Sequence, residues 1–242
     1  MPKPINQPQP SANRHEPFPI GFRLSALLFA ILLGAQCVWL LLPELLRPRI
    51  QQPPIDATAT TDKQHAAADW AASIAAVRGD LWTESAFTYA ALIVNPSGSA
   101  ASSRDLTSAL ASARTSLWRA LEHAPTQSSA WLLLAGLALR YPSAQHALDP
   151  AEVLKMSYYT GPSEQNLIPL RFGMAVRANK FNDVEMSQFI SRDLRLLLQQ
   201  QQIAVIVNAY NAASPDGKHF IEQAVGDIDP AALTMLHNAA KR

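Results

Sequence analysis

Residues Ala120 to Leu139 read ALEHAPTQSSAWLLLAGLAL, and the architecture is decided at their Ala124-Pro125 joint. Upstream, Ala113, Leu117, Ala120, Leu121 and Ala124 recur every three or four positions, which makes one stripe on a helix. Downstream, Trp131, Leu134, Ala135 and Ala138 do the same. Proline at 125 cannot continue the first helix, because it lacks the N–H that a helix interior requires. The stretch therefore predicts a helix, a tight joint and a second helix, with Trp131 largely buried where they meet.

The same grammar extends in both directions. In AAADWAASIAAVRGDLWTESAFTYAALIV, alanine dominates, Gly79-Asp80 interrupts and Pro96 closes, which predicts two helices joined by a turn. Small residues let such helices approach closely. Further on, Asp149-Pro150, Ser214-Pro215 and Asp229-Pro230 each place a capping side chain before a proline suited to the first helical turn. Met186, Phe189, Ile190, Leu194, Leu197 and Leu198 form one apolar stripe, and Ile203, Ile206, Val207 and Tyr210 form another. No stretch alternates as a strand does, so the fold class is all-α.

The joint resembles the tetratricopeptide repeat, whose pattern runs W-x2-L-G-x2-Y, A-x3-F, Ala and a closing Pro. Ala113-x3-Leu117, Ala120 and Pro125 match the second half of one unit, and Trp131-x2-Leu134-Ala135 matches the opening of the next. Pro96 and Pro125 lie closer together than the repeat's period, NPSGSAASSRD interrupts the array, and Ala138 replaces an aromatic, so the array is degenerate. The resemblance implies a helical-repeat α-solenoid. VLKMSYYTGPSEQNLIPLRF (Val153–Phe172), with the later RDLRLLL, also resembles membrane-anchored, tetratricopeptide-like bacterial proteins associated with exopolysaccharide biosynthesis loci. That likeness implies an accessory role in exopolysaccharide synthesis or export.

Four regions follow. Residues 1–20 are rich in proline and read as a disordered tail. Residues 21–42 contain LSALLFAILLGAQCVWLLL, a run without a charge. As a helix this run spans about 28 Å, which matches a bilayer core. A buried core helix would show a polar face. A cleaved signal peptide would be followed by polar chain rather than VWLLLPELL, and a lipoprotein would carry a small residue before Cys37 where Gln36 stands. An uncleaved single-pass anchor is expected, with Arg23, Arg47 and Arg49 as snorkelling flanks. Residues 43–62 read as a linker and 63–242 as the helical domain. Lysines and arginines are balanced across the anchor. The resemblance implies a bacterial inner-membrane protein, and the bulk of the C-terminal domain favours placing that domain in the periplasm.

The chemistry is sparse. With 20 Lys+Arg against 19 Asp+Glu the formal charge is +1, which offers nucleic acid no attractive field. One cysteine excludes a disulfide framework. No phosphate loop, His-Glu-x-x-His or Gly-x-Ser-x-Gly occurs, and His65, His123, His146, His219 and His237 stand singly. No catalytic residue, cofactor site or metal site is expected, and no enzyme. A small-molecule ligand is not expected either. Tyr158, Tyr159, Glu164, Gln165 and Asn166 gather aromatic, amide and carboxylate groups around Gly161-Pro162, a candidate glycan or partner contact. Arg171, Arg177, Arg192 and Arg195 form a candidate basic face. The expected function is a membrane-anchored scaffold holding protein partners in a cell-envelope assembly. The alternative is a glycan-binding module or envelope enzyme using Tyr158 to Asn166.

Overall fold

The computed structural model of the protein describes residues 20–47, 62–94, 103–142 and 148–240. The Pro-rich tail, Arg49 with most of the expected linker, Pro96, most of the serine-rich insert and His146 lie outside the described residues. The chain forms two compact units, Met1–Leu42 and Pro43–Arg242.

The described part of the first unit belongs to α1 (Ile20–Leu46), which is long and apolar enough to cross a membrane. Its apolar side chains up to Leu42 are exposed, as an all-round apolar surface requires when lipid is its solvent.

The second unit is helical throughout its described residues, with α2 (Asp62–Ile74), α3 (Gly79–Val94), α4 (Ser103–His123), α5 (Ser128–Arg140) and α6 (Pro150–Thr160). A 3-10 turn, Gln165–Leu167, leads into α7 (Ile168–Ala178). Then follow α8 (Val184–Gln199), α9 (Ile203–Asn211), α10 (Pro215–Ile228) and α11 (Pro230–Ala240). Helix neighbours in sequence pack together, the tightest pairs being α3 with α4 and α5 with α6. A second set of contacts skips one helix. The odd-numbered helices from α3 to α11 each touch the next odd one, and α6, α8 and α10 do the same. Neither α2 with α4 nor α4 with α6 is among these pairs, so the skipping contacts are continuous only from α5 onward.

The expected stripes are the core. Ala113, Leu117, Ala120 and Leu121 are buried on α4, as are Leu134, Ala135 and Ala138 on α5 and Met186, Ile190, Leu194 and Leu197 on α8. The caps also form. The Asp149 carboxylate accepts from Ala151 N at 2.9 Å, Ser214 Oγ from Gly217 N at 3.1 Å and Asp229 from Ala231 N at 2.9 Å. Trp131 departs from expectation. It is half-buried, because its indole N–H turns back to donate to the Pro125 carbonyl at 2.7 Å. A tryptophan with a polar tip to satisfy keeps its ring at the rim of the joint.

Residues 43–47 are not linker. The helix continues through Pro43 to Leu46, and Arg47 reaches into the body. Its Nε donates to Glu84 Oε1 at 2.6 Å, while Arg78 Nη1 pairs with Glu44 Oε1 and Arg78 Nη2 with Asp80 Oδ2, both at 2.6 Å. Glu84 is 4% exposed, and burial pushes its carboxyl above the ordinary range even with Arg47 beside it. Arg47, expected as a snorkelling flank, therefore serves as the counter-charge of a buried glutamate.

Two glycines separate packing from freedom. A β-carbon on Gly79 would lie 2.6 Å from the Ala120 carbonyl oxygen and 2.5 Å from Ala124 Cβ, so the start of α3 meets the end of α4 backbone to backbone. Around Gly173 on α7 the same position is open. Gly79→Ala is expected to destabilise the protein by about 1–3 kcal/mol through overpacking. Gly173→Ala is expected to stabilise it by up to about 1 kcal/mol through reduced chain entropy in the unfolded state. Denaturant melts of the two variants check both signs.

Candidate functional site

The Tyr158–Asn166 candidate does not assemble as one surface. Tyr158 is 1% exposed, stacks on Phe189 with centroids 4.4 Å apart, and donates its hydroxyl to Asp193 Oδ2 at 2.9 Å. It belongs to the core and cannot offer a face to a sugar. Tyr159, next in α6, is exposed, and the Glu185 carboxylate at the start of α8 raises its hydroxyl above its ordinary value. Glu164 faces the other way and accepts from Ser128 Oγ on α5 at 2.5 Å. Gln165 and Asn166 are exposed on the 3-10 turn. Gly161 is there for space: a β-carbon on it would lie 2.6 Å from Ser128 Cβ.

The candidate basic face also dissolves. Arg171 is fully buried. The last carbonyls of a helix have no donor within it; at the end of α6, Ser157 O and Gly161 O accept from Gly161 N and Glu164 N, both at 3.3 Å, and Arg171 adds a second donor to each. Its Nη2 donates to Ser157 O at 2.7 Å, Nη1 to Gly161 O at 2.8 Å and Nε to Ser157 Oγ at 3.0 Å. A planar guanidinium serves several acceptors at once, which an ammonium on a flexible stem cannot. Burial pushes Arg171 below its ordinary value. Arg192 is half-buried against Tyr158 and Asp193. Arg177 lines a groove between α7 and α9, and Arg195 one between α8 and α10. Arg171 and Arg192 thus meet over the Tyr158 ring inside the body, while Arg177 and Arg195 line separate grooves.

Beneath Tyr158 lies an unfinished polar contact. Asp193 is fully buried, its Oδ1 accepts no hydrogen bond, and Arg192 Nη2 stands 3.6 Å away. Burial pushes the Asp193 carboxyl up to about 6, against the Tyr158 hydrogen bond and the charges of Arg192 and Arg171.

A third place was hidden from the sequence. Between α2, α3 and α4 opens a cleft of about 350 Å³, lined by Asp69, Ser73, Tyr89, Ser108, Ser112 and Arg119 among others. Asp69 is held from behind, accepting from Ser85 Oγ at 2.5 Å and from the Tyr89 hydroxyl at 2.6 Å. Ser85 meets Ser116 Oγ at 3.1 Å. Burial, then the bond to Asp69, pushes the Tyr89 hydroxyl up to about 12. The Arg119 guanidinium lies 4.6 Å over the Trp82 ring, whose N–H donates to Ala76 O at 2.8 Å. His65 meets Thr88 Oγ1 at 2.8 Å and packs edge-on to Tyr89. The available signal was polar: Thr83, Glu84, Ser85 and Thr88 are all buried in α3, where a helix between two neighbours would ordinarily be apolar.

Comparison of the chain with protein-family models, curated proteins and solved structures finds no match.

The contacts joining α6, α7 and α8 can be probed through Arg171 and Asp193. Arg171→Ala and Arg171→Lys are both expected to cost more than about 2 kcal/mol, since each breaks up the three buried charge-assisted hydrogen bonds to Ser157 O, Ser157 Oγ and Gly161 O. Arg177→Ala should stay within about 0.5 kcal/mol, and chemical denaturation distinguishes them. Asp193 binds its proton more tightly folded than unfolded, so its ionisation opposes folding. Between about pH 4 and pH 6 stability should fall as pH rises, and Asp193→Asn should flatten that decline in unfolding curves.

Proposed function

We propose that this protein is a single-pass, membrane-anchored scaffold of the bacterial cell envelope whose helical body holds protein partners. The observation that carries the reading is α1, whose stretch from Leu24 to Leu42 has no charge and whose apolar side chains stand exposed all round. Such a surface is stable against lipid and costly against water, at about 25 cal/mol per Å² of apolar area left wet.

The body is proposed to be a degenerate tetratricopeptide-like solenoid. Supporting this, consecutive helices pair and, from α5 onward, alternate helices touch, in the manner of a repeat stack. Stacks of that kind present long, shallow surfaces that suit protein segments. The grooves between α7 and α9 and between α8 and α10 are surfaces of this sort. The likeness of Val153–Phe172 to proteins of exopolysaccharide loci supports an accessory role in exopolysaccharide synthesis or export. The rival use of Tyr158–Asn166 for glycan binding or catalysis loses support, since Tyr158 is a core residue and its neighbours face apart.

The bulk of the C-terminal domain favours a periplasmic body on an inner-membrane anchor. The protein is expected in the alkaline-extraction-resistant membrane fraction. In a Cys37→Ser background, Thr126→Cys places a thiol in the exposed turn between α4 and α5. A membrane-impermeant maleimide should label it in cells opened only to the periplasm. Labelling only after lysis would put the body in the cytoplasm, and recovery from the soluble fraction would remove the anchor.

A further inference from the structure

We propose that the cleft between α2, α3 and α4 is a binding site for a short, uncharged saccharide segment. The inference does not rest on the scaffold reading, since it concerns a different surface and survives if the anchor or the partners are otherwise.

The first argument is the state of Asp69. A carboxylate offers about four lone-pair positions, and Ser85 and Tyr89 occupy one on each oxygen from the protein side. His65 Nε2 stands 3.8 Å from Oδ2, beyond hydrogen-bond distance, and the Asp69 side chain remains partly open to solvent. One acceptor position on each oxygen is thereby left to a ligand, at a spacing that suits two neighbouring hydroxyls. Anchoring from behind also fixes the carboxylate before a ligand arrives, which lowers the entropic cost of binding.

The second argument is the chemistry of the walls. Ser73 and Ser108 stand exposed at the cleft, and neither makes a hydrogen bond among the described residues. Each hydroxyl both donates and accepts. An apolar anchor from a protein partner would leave these groups desolvated and unpaired, at a penalty for each. A saccharide carries a donor and an acceptor on nearly every carbon and satisfies them at high density. The lining pairs one carboxylate with one guanidinium, Asp69 with Arg119, so it selects neither an anion nor a cation.

The third argument is aromatic surface. Trp70 on α2 is 66% exposed and Trp118 on α4 is 43% exposed. Neither lines the cleft itself; Trp70 lies one turn from Ser73 and Trp118 one turn from Thr115, so each stands beside it on a helix that forms it. Sugar rings present C–H faces that stack on such surfaces, while their hydroxyls reach polar groups. The cleft is close to the lower bound for small-ligand sites, about 300 Å³, which limits the occupant to a few rings.

The test is calorimetric titration of the full-length protein in a zwitterionic detergent without a sugar headgroup, using cellotriose, mannotriose and galactotriose in turn. At least one should bind with a Kd below about 1 mM. Asp69→Asn and Ser108→Phe should each weaken that binding about tenfold or more, while Tyr159→Ala and Arg177→Ala leave it unchanged. Asp69→Asn disturbs two internal hydrogen bonds. Ser108→Phe fills the exposed cleft without touching the core, so a native circular-dichroism melt for this variant keeps the test clean. Absence of binding by all three sugars, or unchanged affinity in folded Ser108→Phe, overturns the proposal. So does binding of an acetylated Gly-Ser-Gly-Ser peptide, blocked by Ser108→Phe, in place of the sugars.

Discussion

No helix of the body can bury its apolar stripe alone, and the packing of the whole unit answers that need. The helices of the body, from the short α9 to the longer α4, are marginal in water by themselves. Each lays one face against the next helix, and α3 and α5 to α9 lay another against the helix after that. Alanine makes the arrangement dense: Ala72, Ala86, Ala113, Ala120, Ala130 and Ala135 let backbones approach, and Gly79 permits contact closer than any side chain would allow. Where that economy leaves polar ends uncovered, single residues finish the work. Arg171 donates to the carbonyls at the end of α6, and Lys155 pairs with Asp183, the residue that caps α8, at 2.6 Å.

Helices and their starts were legible in the sequence because each rests on local chemistry. The stripe on α8, the proline-capped starts at Asp149, Ser214 and Asp229 and the break at Pro125 need only a few neighbouring residues to be recognised. The end of α1 was not legible, since Pro43 and the charges after it have the composition of a linker. What holds that end is Glu84, far along the chain from Arg47. Trp131 departs from its expected burial for a related reason. Its position in the stripe says that it faces the joint, but not that its N–H will be drawn to the Pro125 carbonyl and hold the ring at the edge.

The candidate sites failed or were missed through the same difference between local and distant information. Tyr158 and Tyr159 are adjacent, yet a helix turns them about 100° apart, and only the position of α8 decides which becomes core. Arg171 reads as surface charge because isolated arginines almost always are. Its burial follows from the end of α6 lying beside α7. The cleft around Asp69 draws on residues from three helices, and its sequence reads as close packing of small residues. Serine serves equally well for close packing and for hydrogen bonding, and composition does not distinguish the two.

The proposed repeat stack stands or falls on contacts that skip a helix, such as the one between α5 and α7. The Met174 methyl carbon sits 2.8 Å from where a β-carbon on Gly136 would stand, so the methyl packs against the Gly136 α-protons with the whole of α6 intervening in the sequence. With the methionine methyls isotopically labelled in the detergent-solubilised full chain, a nuclear Overhauser cross-peak should join Met174 Hε to Gly136 Hα. A native, helical protein that lacks this cross-peak, with the Met174 methyl shift at its random-coil position, would contradict the stacked arrangement.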